Sequence, residues 1–274
     1  MKNFLKLLNF ELNRFSKLYI VLLITIFAIQ FIGIIVVANK YMMSMSRSGM
    51  SQQQFLDMFS AFSMLNFFHS MWFFAPVAIG AATLIIYIFF IWYRDWFAKN
   101  TFIYRLLMLP TSRMNIFWAK AITIMLTVLG LVAFQILLFI IESMIITWIV
   151  PKSFRTDVSL VDMVSAIYEL SLILPSSMLD FFISYGLGFA FVLVCFTAIL
   201  FERSFKIKGI VVGVLYILFA AGLFALPFIV QFFFLGDLYF YPDEILLIEL
   251  FIWFLVVVSS VFISRYLLNN KVTV

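Results

Sequence analysis

The chain has 274 residues, of which 66% are hydrophobic and 11% charged, against roughly 45–50% and about 25% in an average soluble domain. Accessible area grows too slowly with mass for a soluble fold of this size to hide so much apolar surface, so a bilayer must act as its solvent. Disorder, a collagen-like repeat and a disulfide scaffold are excluded, and the single cysteine, Cys195, has no partner within the chain.

In chain order, residues 2–17 predict an amphipathic elbow helix. On a 100° wheel Phe4, Leu5, Leu8, Leu12 and Phe15 share one arc, and Lys2, Lys6, Asn9, Asn13 and Lys17 the opposite one. Basic residues on one face and large apolar ones on the other suit a helix lying in the membrane interface. Crossing a hydrocarbon core of about 30 Å takes about 20 apolar residues. Six segments meet that requirement: 18–37, 71–93, 119–141, 181–200, 210–230 and 245–263. These runs are continuous rather than alternating, which argues against a β-barrel. No small-residue cleavage site closes the first run, so it reads as an uncleaved span.

Between the first two spans, residues 42–54 are rich in Met, Ser and Gln, and Phe55 to Phe68 is apolar enough to lie on the membrane. Residues 157–173 predict an outer amphipathic helix, with capping-box spacing at Ser159 and Asp162 and an end at Pro175. Pro76 and Pro227 mark expected kinks within spans. The expected fold is all-α: a polytopic membrane protein forming one transmembrane domain over 1–274, with six transmembrane helices, the elbow helix, and a cytoplasmic helix within 94–113.

Lys and Arg set the orientation. With the N-terminus inside, fourteen of the 18 fall in inner segments, and only Lys40, Arg47, Lys152 and Arg155 fall outside. Both termini are therefore expected in the cytoplasm, with the protein in the plasma membrane. The net charge of +5 is accounted for by these topology signals and implies no nucleic acid.

Enzymatic chemistry finds little support. His69 is the only histidine, so a histidine-based metal site or dyad is not available within one chain, and neither a G-x-S-x-G nor a Walker A pattern occurs. The chain is expected to be no enzyme and to carry no cofactor of its own. Polar residues within spans are candidates for a substrate path: Gln30, Gln135, Glu142 and Glu249. The two glutamines equally suit helix-joining hydrogen bonds of about 0.6–2 kcal/mol.

The connection between the second and third spans is the most informative stretch. From Arg94 through Asp95, Lys99 and Arg105 it reads as a basic amphipathic helix that stops at Pro110, after which Thr111 or Ser112 can N-cap the next helix. Such a device presents a short helix to a soluble partner while fixed to two spans. The string Leu106-Leu107-Met108-Leu109-Pro110-Thr111-Ser112-Arg113, with Lys120 seven residues on, resembles the signature of membrane subunits of type-2 ATP-binding-cassette (ABC) exporters. The elbow helix, six spans and inward termini fit the same resemblance, whereas large outer segments after the first and third spans depart from that family's usual elaboration between the fifth and sixth.

The resemblance implies a permease subunit whose coupling helix docks on a separately encoded nucleotide-binding ATPase, with ATP and Mg²⁺ held by that partner. Arg94, Asp95, Lys99, Arg105, Leu109, Pro110 and Arg113 would form the docking surface, Arg105 and Arg113 being its preferred charged contacts. A second copy of the chain or a homologue would complete the transporter within the lipid bilayer. The apolar, aromatic-rich spans suit a hydrophobic or amphipathic cargo such as a peptide, lipid or drug. Two other readings remain open at this level: an ion-coupled secondary carrier using Glu142 or Glu249, and a non-transporting membrane scaffold or sensor.

Overall fold

The computed structural model describes residues 2–97, 102–108, 110–159, 162, 164, 168–175, 177–235 and 240–272. Helices α1 (Lys2–Ser48), α2 (Gln52–Phe59), α3 (Met64–Phe68), α4 (Met71–Phe97), α5 (Phe102–Leu107) and α6 (Arg113–Ile149) come first. They are followed by α7 (Tyr168–Ile173), α8 (Met178–Phe205), α9 (Ile207–Val230) and α10 (Pro242–Asn270). Among the described residues there is no strand, only an isolated bridge between Phe62 and Arg155. Each of the six expected spans lies inside one of α1, α4, α6, α8, α9 and α10, which are long and apolar enough to cross a membrane. The chain is an all-α, multi-pass membrane protein.

Helix lengths depart from expectation where the sequence offers no stop signal. Residues 2–17 are not a separate element: α1 runs unbroken for 47 residues, taking in the elbow, the first span and residues 38–48. No proline interrupts that stretch, and the helix ends only before Gly49, whose φ of +60° is a left-handed conformation that glycine adopts without steric penalty. Likewise α6 continues past the expected boundary at residue 141 to Ile149, just before Pro151. Pro76 and Pro227 both sit inside helices, and a π-helical turn over Gln231–Leu235 follows the second. Most of the outer helix expected over 157–173 lies outside the described residues. What is described is the Ser159 hydroxyl accepting the Asp162 amide at 3.2 Å and, two turns on, the short α7.

The chain divides into two compact units. One comprises Leu12–Ile85 and Leu126–Ser184. Its core is aromatic: Phe55, Phe62, Phe67, Phe68, Phe73 and Phe139 are buried together with Ile34 and Ala38. The Phe68 and Phe139 rings lie 5.0 Å apart, within the range of favourable aromatic pairs. Residues 55–68, expected on the membrane surface, therefore supply much of this core instead, because Phe55 on α2, Phe67 and Phe68 on α3, and Phe62 between them turn inward while Phe59 stays exposed.

The other unit comprises Met1–Glu11, Ile86–Met125 and Tyr185–Val274. Trp92 and Phe117 each meet Phe196 edge-on, at 5.4 and 5.7 Å, and Val194, Ala220, Ile252 and Val256 form a second apolar layer. Hydroxyls join its helices: Thr197 shares a hydrogen bond with Ser264 at 3.0 Å, and Tyr216 with Ser260 at 2.8 Å. The turn from α8 to α9 is a single residue, Lys206, at φ +54°. It is tight enough that a Cβ on Gly209 would collide with the Phe201 carbonyl and the Glu202 backbone.

Candidate functional site

A buried charge cluster lies beside the segment 98–112. On α1, Leu7, Glu11 and Phe15 recur at four-residue spacing and share one buried face, so the helix that buries its leucine and phenylalanine must bury Glu11 too. On α4, Asp95 follows Ile91 and Trp92 by four and three residues and is fully buried with them. On α6, Lys120 falls on the face of Phe117 and Ile124 and is likewise fully buried. A charge in such surroundings is tolerated only when it is paired and hydrogen-bonded.

Lys120 meets that condition. Its ammonium donates to Glu11 Oε1 at 2.7 Å, to the Ile91 carbonyl at 2.9 Å and to Asp95 Oδ2, matching three donors with three acceptors. The ammonium also sits 5.3 Å from the centre of the Trp92 ring. Arg94 donates to the remaining Glu11 oxygen at 2.8 Å. Two cations therefore balance two carboxylates, and the cluster ties α1, the end of α4 and the start of α6 to one another.

Two further contacts fix the flanks of the same segment. At the end of α4, the Arg203 guanidinium lies against the rings of Tyr93, Trp96 and Phe97, at 4.8, 5.4 and 4.8 Å, and the Tyr93 hydroxyl donates to Glu202. These contacts bind α4 to α8. At the start of α6, Arg113 donates to the carbonyls of Leu268 at 2.5 Å and Val272 at 2.9 Å, capping the C-terminal end of α10. Ser112 occupies the N-cap position of α6, and its carbonyl accepts the Asn115 amide at 2.9 Å.

The residues expected to dock a partner separate into two groups. Lys99 and Leu109 lie outside the described residues. Arg94, Asp95 and Arg113 face inward: α4 continues to Phe97, which draws the first two into the buried cluster, and Arg113 is committed to α10. Arg105, Met108 and Pro110 are exposed, while Ile103, Leu106 and Leu107 bury the opposite side of α5. Among the described residues, the exposed part of the expected docking segment is thus narrower than the sequence predicted and centres on Arg105 to Pro110.

The expected substrate-path residues divide between the two compact units. Gln30 and Gln135 are buried and hydrogen-bonded to each other through both amides, at 3.2 Å each way, the helix-joining role the sequence allowed. Glu142 is buried with neither carboxyl oxygen partnered, seven residues and thus about 10 Å further along α6. Glu249 belongs to the other unit, is half-buried, and has one unpartnered oxygen. His69 is exposed.

Sequence reading missed Glu11 as a site residue and took Lys120 only as a topology signal and part of a motif. The signal for Glu11 was present: on the wheel it falls among Phe4, Leu7 and Phe15, a lone acid on the apolar arc of an otherwise basic helix. Among the described residues no group of three or more His, Cys, Asp or Glu side chains is placed to hold a metal ion. No family model, curated protein or solved structure matches this chain.

Proposed function

We propose that the chain is the membrane-spanning permease subunit of an ABC-type exporter, driven by a separately encoded ATPase that docks on residues 102–110. The observation that carries this reading is the anchoring of that segment's flanks. One flank is held through Arg94, Asp95 and the aromatic seat of Arg203, and the other through Lys120 and Arg113. A short, partly exposed helix on such mounts passes a displacement to α1, α4, α6, α8 and α10 rather than absorbing it in a loop. The likeness of Leu106–Arg113 and Lys120 to type-2 exporter subunits supports the same assignment.

In this scheme ATP and Mg²⁺ sit on the partner, and closure of the ATPase pair moves the segment. Two permease copies, or one copy with a homologue, form a path for a hydrophobic or amphipathic cargo. Six helices leave little room for such a path inside one chain. Both termini then face the cytoplasm across the plasma membrane, as the inward bias of Lys and Arg favours.

The test is photo-cross-linking in the native host from a benzoylphenylalanine placed at Met108, which is exposed. The expected adduct contains a P-loop ATPase. Adducts with only lipid or this same chain would overturn the assignment. One observation favours a second reading: Glu142, buried and unpartnered in a membrane helix, is the kind of group an ion-coupled carrier uses. That reading requires flux that follows a proton or sodium gradient without ATP and is lost in Glu142→Gln.

A further inference from the structure

A cavity of about 330 Å³ opens in the unit that contains the start of α1 and the segment around α5, lined by Asn3, Lys6, Leu7, Phe10, Leu106 and Thr111 among others. Its volume falls at the lower end of the roughly 300–1,000 Å³ of sites that hold small molecules. Leu7 and Leu106 are buried and form an apolar floor, Phe10 is a half-exposed apolar wall, and Asn3, Lys6 and Thr111 bring an amide, an ammonium and a hydroxyl to the rim. The lining therefore has an apolar part and a polar, cationic part, the division that an amphiphile presents.

The charge around the cavity selects among amphiphiles. Lys6 is exposed and makes no ion pair or hydrogen bond among the described residues. Arg105, the residue before Leu106, is exposed and has no such pair among them either. The acids on the same segments, Glu11 and Asp95, are already neutralised by Arg94 and Lys120. What remains at the cavity mouth is positive. The distribution of Lys and Arg predicts this end of the protein on the cytoplasmic side, where the leaflet is rich in anionic lipid.

From these features we infer that the cavity is a binding site for one anionic phospholipid, its phosphate held by Lys6 with Asn3 and Thr111 and its glycerol-proximal chain lying on Leu7, Phe10 and Leu106. The site lies between the N-terminal turns of α1 and the segment around α5, so an occupied site braces that segment. The inference does not depend on an ATPase partner.

The test is native mass spectrometry of the full chain in a mild detergent. The protein is titrated separately with palmitoyl-oleoyl phosphatidylglycerol, with palmitoyl-oleoyl phosphatidylcholine, and with glycerol phosphate alone. One phosphatidylglycerol is expected to bind about tenfold more tightly than phosphatidylcholine, with no retention of glycerol phosphate. Lys6→Glu should abolish the preference and Lys6→Arg keep it. Phe10→Ser should weaken both lipids, and Lys17→Glu, which removes an exposed cation outside the lining, should change neither. Lys6, Phe10 and Lys17 are all solvent-accessible, so these variants leave the core untouched. Equal affinity for the two lipids, a preference that survives Lys6→Glu, or glycerol phosphate binding as tightly as the lipid would each overturn the inference. So would a co-purifying protein segment cross-linked at Asn3 that excludes phosphatidylglycerol.

Discussion

Lys120 is the residue on which the local electrostatics turn. Replacing it by Met removes the ammonium that pairs with both buried carboxylates, Glu11 and Asp95. Breaking a buried ion pair from one side typically removes about 3–5 kcal/mol of stability. Lys120→Met is therefore expected to lower the melting temperature of the detergent-solubilised protein sharply, and Glu11→Gln to lower it less, since Asp95 and the Ile91 carbonyl still satisfy the lysine. Arg105→Glu, on an exposed side chain with no partner among the described residues, should change stability by no more than about 0.5 kcal/mol. A docking defect in that variant can then be read as a docking defect. Glu142 gives the opposite expectation from Lys120: with both oxygens unpartnered, Glu142→Gln should leave the melting temperature unchanged or raise it. A clear fall would mean that Glu142 has a partner in the assembled protein. At this scale the sequence was partly legible. It showed that Gln30 and Gln135 could join helices, whereas Glu11, on the apolar arc of its helix, went unread. It could not show that Glu11 would meet Lys120, because two charges 109 residues apart find each other only through the packing of α1 on α6.

At the scale of elements, apolar runs marked the spans but not the helix ends. A helix propagates until something stops it, and between Lys2 and Ser48 no residue does, so the amphipathic elbow and the first span merge into one helix. α6 likewise runs past the span expected over 119–141, and prolines, Pro110 and Pro151, stand just beyond its two ends. The segment 55–68 was misread because its aromatic richness looks the same whether it faces lipid or a core. Its burial follows from a tertiary contact, the ring cluster with Phe73 and Phe139. The α8–α9 turn yields a sharp expectation. Gly209→Ala drives a methyl into the backbone of Phe201 and Glu202, neither of which can yield cheaply, and overpacking of this kind costs about 1–3 kcal/mol or more. Gly222→Ala on the same helix, where a Cβ meets nothing, should be tolerated. Unfolding monitored by tryptophan fluorescence compares the two directly. If both behave alike, the hairpin is not as tight as described.

For the whole molecule, composition pointed to a membrane protein, since a soluble fold cannot hide a chain that is 66% hydrophobic, and the continuous apolar runs pointed to helices. The proposed function rests, in the sequence, on a short string, Leu106 to Arg113 with Lys120. The structure adds mechanical content to that string: α5 is short and partly exposed, and the helices on either side of it are held by buried charge, by the aromatic seat of Arg203 and by the Arg113 cap. Cargo is not encoded in this way, because phenylalanines facing lipid and phenylalanines facing a path have the same sequence. The central claim is that Arg105 to Pro110 docks an ATPase. Its most direct test is purification of the tagged protein from its native host in a gentle detergent, with mass spectrometry of whatever accompanies it in stoichiometric amounts. The expected result is a P-loop ATPase at one copy per permease, lost in Arg105→Glu while the permease itself remains monodisperse. A clean permease with no ATPase across several detergents, or an ATPase that stays bound to Arg105→Glu, would contradict it.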